Sequence, residues 1–133
     1  MNVNLVINPT PKGNMPSDYE DVLLNQMHTI PASICANISI DHTLNYLTND
    51  QLASILGKIR HGGMISISSF DAMEMARALY WGEIDMQKFS SLIANSVSQH
   101  SLLEIKSFFE QNAYAVDTAY LNGLSFHIKA KRP

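Results

Sequence analysis

The chain is poor in the residues that would announce a specialised class. It has one cysteine, Cys35, among 133 residues, which excludes an internal disulfide framework. Charged residues make up only 16%, and the nine Lys and Arg are scattered except for Lys129, Lys131 and Arg132, so no basic field for nucleic acid is present. No run approaches the ~20 apolar residues that a membrane-spanning helix needs. Met1-Asn2-Val3-Asn4-Leu5 lacks the basic start and apolar stretch of a secretory signal. These absences predict a cytoplasmic chain with neither a membrane nor a nucleic-acid partner. His28, His61, His100 and His127 add no metal-ligand spacing, so they read as surface or hydrogen-bonding residues and no metal is expected.

What remains is an ordinary globular composition, 46% hydrophobic with a formal charge of −3. The length suits a single domain over 1–133. Val3 to Ile7 is β-branched and reads as a strand. Asn8-Pro9-Thr10-Pro11-Lys12-Gly13 ends it, and the prolines between Pro9 and Pro31 discourage a long helix. Val22-Leu23-Leu24 suits a short second strand. Ile34 to Ile40 alternates, placing Ile34, Ala36, Ile38 and Ile40 on one face.

Helix starts are marked by caps. Thr48 with Gln51 has capping-box spacing ahead of an apolar stripe of Leu52, Ile55, Leu56 and Ile59, and Gly62-Gly63 is expected to stop that helix before a strand from Met64 to Phe70. Asp71 with Glu74 opens a helix to about Trp81, Asp85 opens one carrying Phe89, Leu92, Ile93 and Val97, and Ser101 with Glu104 opens another. Asn112 is the expected left-handed stop of the last. Two alternating runs, Tyr114 to Tyr120 and Leu124 to Ala130, flank Asn122-Gly123 and predict a closing hairpin with positive φ at both turn residues.

The chemistry-bearing residues are few. Asp41 and His42 follow the carboxyl end of a strand, where open α/β sheets bind ligands, although a cap and its local partner is the plainer reading. Cys35 reads as a small core residue. Ser66, Ser68 and Ser69 lack the glycine-flanked elbow of a hydrolase. Met73, Met75, Tyr80, Trp81 and Met86 read chiefly as helix packing, with an exposed remainder that suits self-association.

Ile30 to Leu47, with its Pro31 turn, strand and His42-Thr43-Leu44, resembles the fourth-strand region of class I S-adenosylmethionine-dependent methyltransferases. Asn45 and Tyr46 stand where that family's His-x-Leu-Glu-His-Leu run has Glu and His. Ile59-Arg60-His61-Gly62-Gly63 resembles the family's Leu-Lys-Pro-Gly-Gly turn, with His61 for proline. Phe70-Asp71-Ala72, Trp81 to Asp85 and Gln99-His100 resemble methyltransferases acting near nucleotide-sugar or surface-polysaccharide pathways.

The resemblance implies an α/β, Rossmann-like fold with a truncated, mostly parallel sheet and a C-terminal antiparallel hairpin. It also implies where S-adenosylmethionine would sit: Asn8 and Gly13 in the loop after the first strand, Asp21 at the ribose, His28 on the adenine side, Asp41 beside the sheet end, and His42 removing a proton or positioning the acceptor. No metal is implied. The glycine-rich loop is missing, because Pro9 and Pro11 occupy it and only Gly13 remains. Two functions follow: a methyltransferase-like module that has lost catalysis and works by protein association, or an active reduced enzyme with an unidentified small-molecule acceptor. Because the proline-rich first quarter offers little helix, the early sheet is expected to leave apolar surface bare, which predicts a homodimer through an edge strand or an exposed helix face bearing Met75, Leu79 and Trp81, with a loop folded back over the sheet as the monomeric alternative.

Overall fold

The computed structural model describes residues 1–6 and 18–133. Six strands form one sheet: β1 (Asn2–Val6), β2 (Glu20–Leu23), β3 (Cys35–Asp41), β4 (Ile59–Phe70), β5 (Ala115–Asn122) and β6 (Ser125–Lys131), in the order β2-β1-β3-β4-β6-β5. The contacts of β1 with β2, β1 with β3 and β3 with β4 are parallel, and β6 runs antiparallel to β4 and to β5. The helices are α1 (Asn49–Leu56), α2 (Ala72–Tyr80), α3 (Met86–Ile93) and α4 (Leu102–Gln111). The expected neighbours are found, with Ile38 opposite Ile65 and Ile40 opposite Ile67 in parallel strands joined through α1.

Register organises the sheet. One row across all six strands reads Val22, Leu5, Ile40, Ile67, Ile128 and Ala119, and the row beside it reads Asp21, Asn4, Ser39, Ser66, Lys129 and Thr118. Because successive strand residues point to opposite faces, the first row lies on the core side and the second on the other. Leu52, Ile55 and Leu56 of α1 and Ile105 and Phe109 of α4 pack with the apolar rows in one buried cluster. Asn4, Ser39, Ser66, Ser68 and His127 stay half-exposed. They bond along the face: Asn37 Nδ2 donates to Asn2 Oδ1 at 3.0 Å, Asn4 Nδ2 to Asp21 Oδ1 at 3.0 Å, and Asn2 Nδ2 to Asp18 Oδ2 at 2.8 Å.

This corrects the premise of the expected dimer. Among the described residues the face without α1 and α4 is mostly polar, with Val6, Leu23, Met64 and Phe70 its apolar members, so it does not call for a broad apolar cover. Met75, assigned to an exposed surface, is buried, while Leu79 is half-buried and Trp81 is 69% exposed.

The caps hold as expected. Thr48 and Gln51 form a complete capping box, and Asp71, Asp85 and Ser101 each accept the backbone N–H three residues on. Other boundaries differ. Ile34 is 43% exposed because β3 starts at Cys35, and an irregularity between Cys35 and Asn37 moves the buried set to Cys35, Ile38 and Ile40. α1 stops at Gly57, with Ile59 already in β4, and Gly62-Gly63 lies within that strand. Gly63 is required by space, since a Cβ there would sit 2.8 Å from Ile59 Cγ2 and 2.9 Å from the Arg60 carbonyl. Asn112 has φ −97° and its Nδ2 caps the Phe108 carbonyl; the left-handed residue after α4 is Ala113 at φ 62°. Val97, expected on α3, lies past its end at Ile93 and is exposed.

The hairpin closes one residue later than expected. Asn122 pairs with Ser125, so Gly123 and Leu124 are the central turn residues, and of these Gly123 alone has positive φ, at 61°. Gly in the first central position is what a type II′ turn selects. A Cβ at Gly123 would meet nothing within 4 Å, so a substitution there costs backbone strain and no clash. Gly123→Val should lower stability by about 1–3 kcal/mol, and Gly123→Asn by clearly less, read as the urea midpoint at constant slope. Equal midpoints for Val and wild type would contradict this turn.

Candidate functional site

At the carboxyl end of β3 the chain turns sharply. Asp41 closes the strand opposite Ser68, and His42 follows with φ 53°, a left-handed conformation that costs a non-glycine residue free energy. The turn is held by the His42 N–H, which donates to the Ser68 carbonyl at 2.7 Å, and by the His42 ring lying 4.9 Å from that of Phe70. The buried Thr43 Oγ1 donates to the carbonyls of Leu5 and Asp41, both at 3.2 Å, and so ties the ends of β1 and β3. His42 Nε2 is 3.7 Å from Asp41 Oδ1 with both side chains well exposed, a contact that water screens. The strand end therefore presents an imidazole and a carboxylate to solvent on a fixed backbone.

Behind the neighbouring end of β4 is a buried polar hub. Ser69 Oγ donates to Asn45 Oδ1 at 3.1 Å, and the Asn45 carbonyl accepts from Val97 N at 2.8 Å and Ser98 N at 3.0 Å. His100 Nδ1 donates to Glu104 Oε1 at 2.6 Å, and its Nε2 lies 2.9 Å from Ser98 Oγ. Asp71, 3% exposed, caps two helices at once: Oδ1 accepts from Glu74 N at 3.0 Å and Oδ2 from Leu102 N at 2.8 Å. No buried side-chain polar atom among the described residues lacks a partner. Asn45, which replaces the Glu of the family pattern, thus faces inward as a structural link.

The remaining expected positions are dispersed. Asn8 and Gly13 lie outside the described residues. Asp21 is the second residue of β2, two before its end, and its carboxylate is engaged by Asn4. His28 sits on a 3-10 helix, Leu24–Thr29, and lines a cavity of about 220 Å³ with Met27, Gln51, Ser54 and Lys58. Neither Asp21 nor Asp41 nor His42 lines that cavity. Cys35 is fully buried, and burial pushes its thiol above the usual value, which disfavours a thiolate nucleophile. Among the described residues no group of three His, Cys, Asp or Glu could hold a metal, and no helix is long and apolar enough to cross a membrane.

One grouping escapes a reading made segment by segment. Ser66 and Ser68 of β4, His127 and Lys129 of β6, and Thr118 and Tyr120 of β5 line a cavity of about 250 Å³ on the polar face. The signal was present as alternating hydroxyls in one strand and alternating bases in the hairpin, but only register joins them.

No family model matches the sequence, and no curated protein matches it either. Solved structures do. An S-adenosylmethionine-dependent methyltransferase from Mesorhizobium loti aligns with 98% of this chain and 80% of its own at TM-score 0.66 and 13% identity. This chain has a class I methyltransferase-like fold. A Haloferax volcanii methyltransferase, solved in complex with the Trm112 methyltransferase activator, aligns with 90% of this chain at TM-score 0.61 and 8% identity. A SAM-dependent methyltransferase from Thermotoga maritima aligns with 86% at TM-score 0.60 and 9% identity. The methyltransferase-like chain spans 64% and 63% of these last two, just under two thirds of each. Identities this low carry architecture and not activity.

The Asp71 hub yields a direct test. A helix cap or a hydrogen bond to a charged group is worth about 1 kcal/mol or more, so Asp71→Ala should cost about 2 kcal/mol or more in urea unfolding, because α2 loses its N-cap and Leu102 N at the start of α4 loses its buried acceptor while Ser101 still caps α4. Asp71→Asn keeps one acceptor oxygen and should cost about half as much. A loss no larger than that from Asp85→Ala, which removes a single exposed cap, would contradict the double role.

Proposed function

We propose that this chain is a methyltransferase-fold module that acts by protein association and has lost S-adenosylmethionine-dependent catalysis. The observation that carries this reading is the dispersal of the cofactor-side residues: Asp21 is tied to Asn4 within the sheet, and His28 belongs to a separate cavity. Association is supported by an apolar surface where α2 ends and α3 begins. Tyr80 (83%), Trp81 (69%) and Met86 (63%) are exposed there, and the Tyr80 and Trp81 rings pack edge to face at 5.4 Å. Aromatic and methionine side chains of this kind are enriched at protein interfaces. The Haloferax structure, a methyltransferase in complex with the Trm112 activator, supports a partner-binding role for a chain of this fold. In this reading the partner is a second copy of the chain, the setting is cytoplasmic, and no membrane or nucleic acid is involved.

A second reading is favoured by the left-handed backbone of His42 at a strand end that bears ligands in open α/β sheets. It keeps S-adenosylmethionine as cofactor with Asn8, Gly13, Asp21, His28 and Asp41 around it, and His42 positions the acceptor or removes its proton.

Calorimetry and thermal shift with S-adenosylmethionine and S-adenosylhomocysteine separate the two. A ligand at one hundred times its Kd stabilises the native state by about 2.7 kcal/mol, and no such stabilisation is expected here. Saturable heat with a matching shift would favour the enzyme. Sedimentation should show a concentration-dependent doubling of the 14.8 kDa mass, lost in a folded Trp81→Asp variant. A constant 14.8 kDa would reject the dimer.

A further inference from the structure

The polar face of the β4-β6-β5 region is built as a grid. In one row Ser66 lies opposite Lys129 and Lys129 opposite Thr118; in the next row on the same face Ser68 lies opposite His127 and His127 opposite Tyr120. Strands are about 4.8 Å apart and same-face residues of one strand about 7 Å apart, so the six groups converge within the span of one small ligand. They line the open cavity of about 250 Å³.

The chemistry of the lining is one-sided. It offers four hydroxyls, an imidazole and an ammonium, and no carboxylate. Ser68 Oγ and His127 Nδ1 are 2.5 Å apart, and the Tyr120 ring stacks on that of His127 at 5.0 Å between centroids, so the imidazole is held in place. Its Nε2 has no protein partner among the described residues, and neither has the Lys129 ammonium. The carboxylates beside the lining are Asp117, whose Oδ2 accepts from Thr118 Oγ1 at 3.2 Å, and Asp41, opposite Ser68 in the ladder of β3 with β4. In a chain of net charge −3, a lysine without an ion pair beside an oriented imidazole and hydroxyls is complementary to an anion.

We infer that this grid binds a phosphoryl group, with Lys129 and His127 Nε2 supplying charge-assisted contacts and Ser66 and Tyr120 supplying hydroxyls. A tetrahedral dianion has acceptor oxygens enough for groups arriving from three strands. A carboxylate, planar and singly charged, matches less of this grid than a phosphate monoester, which carries about −1.5 to −2 at neutral pH.

Calorimetric titration with inorganic phosphate and, separately, glycerol 3-phosphate tests it. Both should bind saturably, and the tighter one tells whether the ligand is the free ion or the phosphorylated end of an organic molecule. Lys129→Gln and His127→Gln should each weaken binding by about tenfold or more, the loss expected of one charge-assisted hydrogen bond, while Lys106→Gln on α4 should leave it unchanged. Unfolding midpoints check that the variants fold, and amide shifts on phosphate addition, expected at Ser66 to Ser68 and His127 to Lys129, locate the site without any substitution. No saturable binding by the wild-type chain, equal weakening by Lys106→Gln, or shifts confined to other strands would overturn the assignment.

Discussion

The structure depends on register. The strands that carry the core alternate with period two over their central residues, and the hydrogen-bond ladders align those alternations so that the row through Leu5, Ile40 and Ile67 is apolar and the row through Asn4, Ser39 and Ser66 polar across six strands. A slip of one residue at any ladder would turn Ile40, Ile67 or Ile128 outward and bring Ser39, Ser66 or Lys129 under the helices. Burying one such aliphatic side chain is worth about 1.5–3 kcal/mol, so the penalty for a slip, summed over a strand, is large compared with the stability of a domain. Purely parallel sheets usually bury both faces; here the antiparallel β6 and the polar alternation go together with a sheet covered by α1 and α4 on one side.

That arrangement determines where chemistry can sit. At the carboxyl ends of the strands, Thr43 and the Asp71 hub use their polar atoms to fasten β1, β3, α2 and α4 to one another. Asp41 and His42 face solvent at the end of β3. The half-exposed polar face is the other place where side chains converge, and its grid owes nothing to the cofactor chemistry of the fold. Association is assigned to a third surface, at the α2 to α3 turn, where large apolar side chains stand exposed.

Much of this was legible in the sequence. The Thr48, Asp71, Asp85 and Ser101 caps, the β3-α1-β4 unit and the terminal hairpin rest on local rules, and local rules located them. Features set by contact between distant segments were not legible. The irregularity that buries Cys35 and exposes Ile34 is a property of the β3 to β4 ladder, and Gly63 is dictated by the approach of Ile59, Arg60 and Ala36. Asparagine often fills a left-handed stop, yet the Asn112 side chain caps Phe108 and the left-handed conformation falls to Ala113. The polar face was visible as Asn2, Asn4, Ser39, Ser66 and Ser68, yet its meaning emerged only when the rows were aligned. Until then a missing helix layer implied an apolar surface in need of cover.

The central claim is that adjacent residues of β3 face a core on one side and a half-exposed polar surface on the other, and adjacent substitutions test it most directly. Urea unfolding should show Ile40→Ser to be destabilised by about 3 kcal/mol or more, because it empties a core position and buries a hydroxyl. Ser39→Ile should stay within about 0.5 kcal/mol of wild type, as surface substitutions do. Comparable losses for the two variants would contradict the account, since they would mean that Ser39 is packed as tightly as Ile40 and that the sheet is covered on both faces.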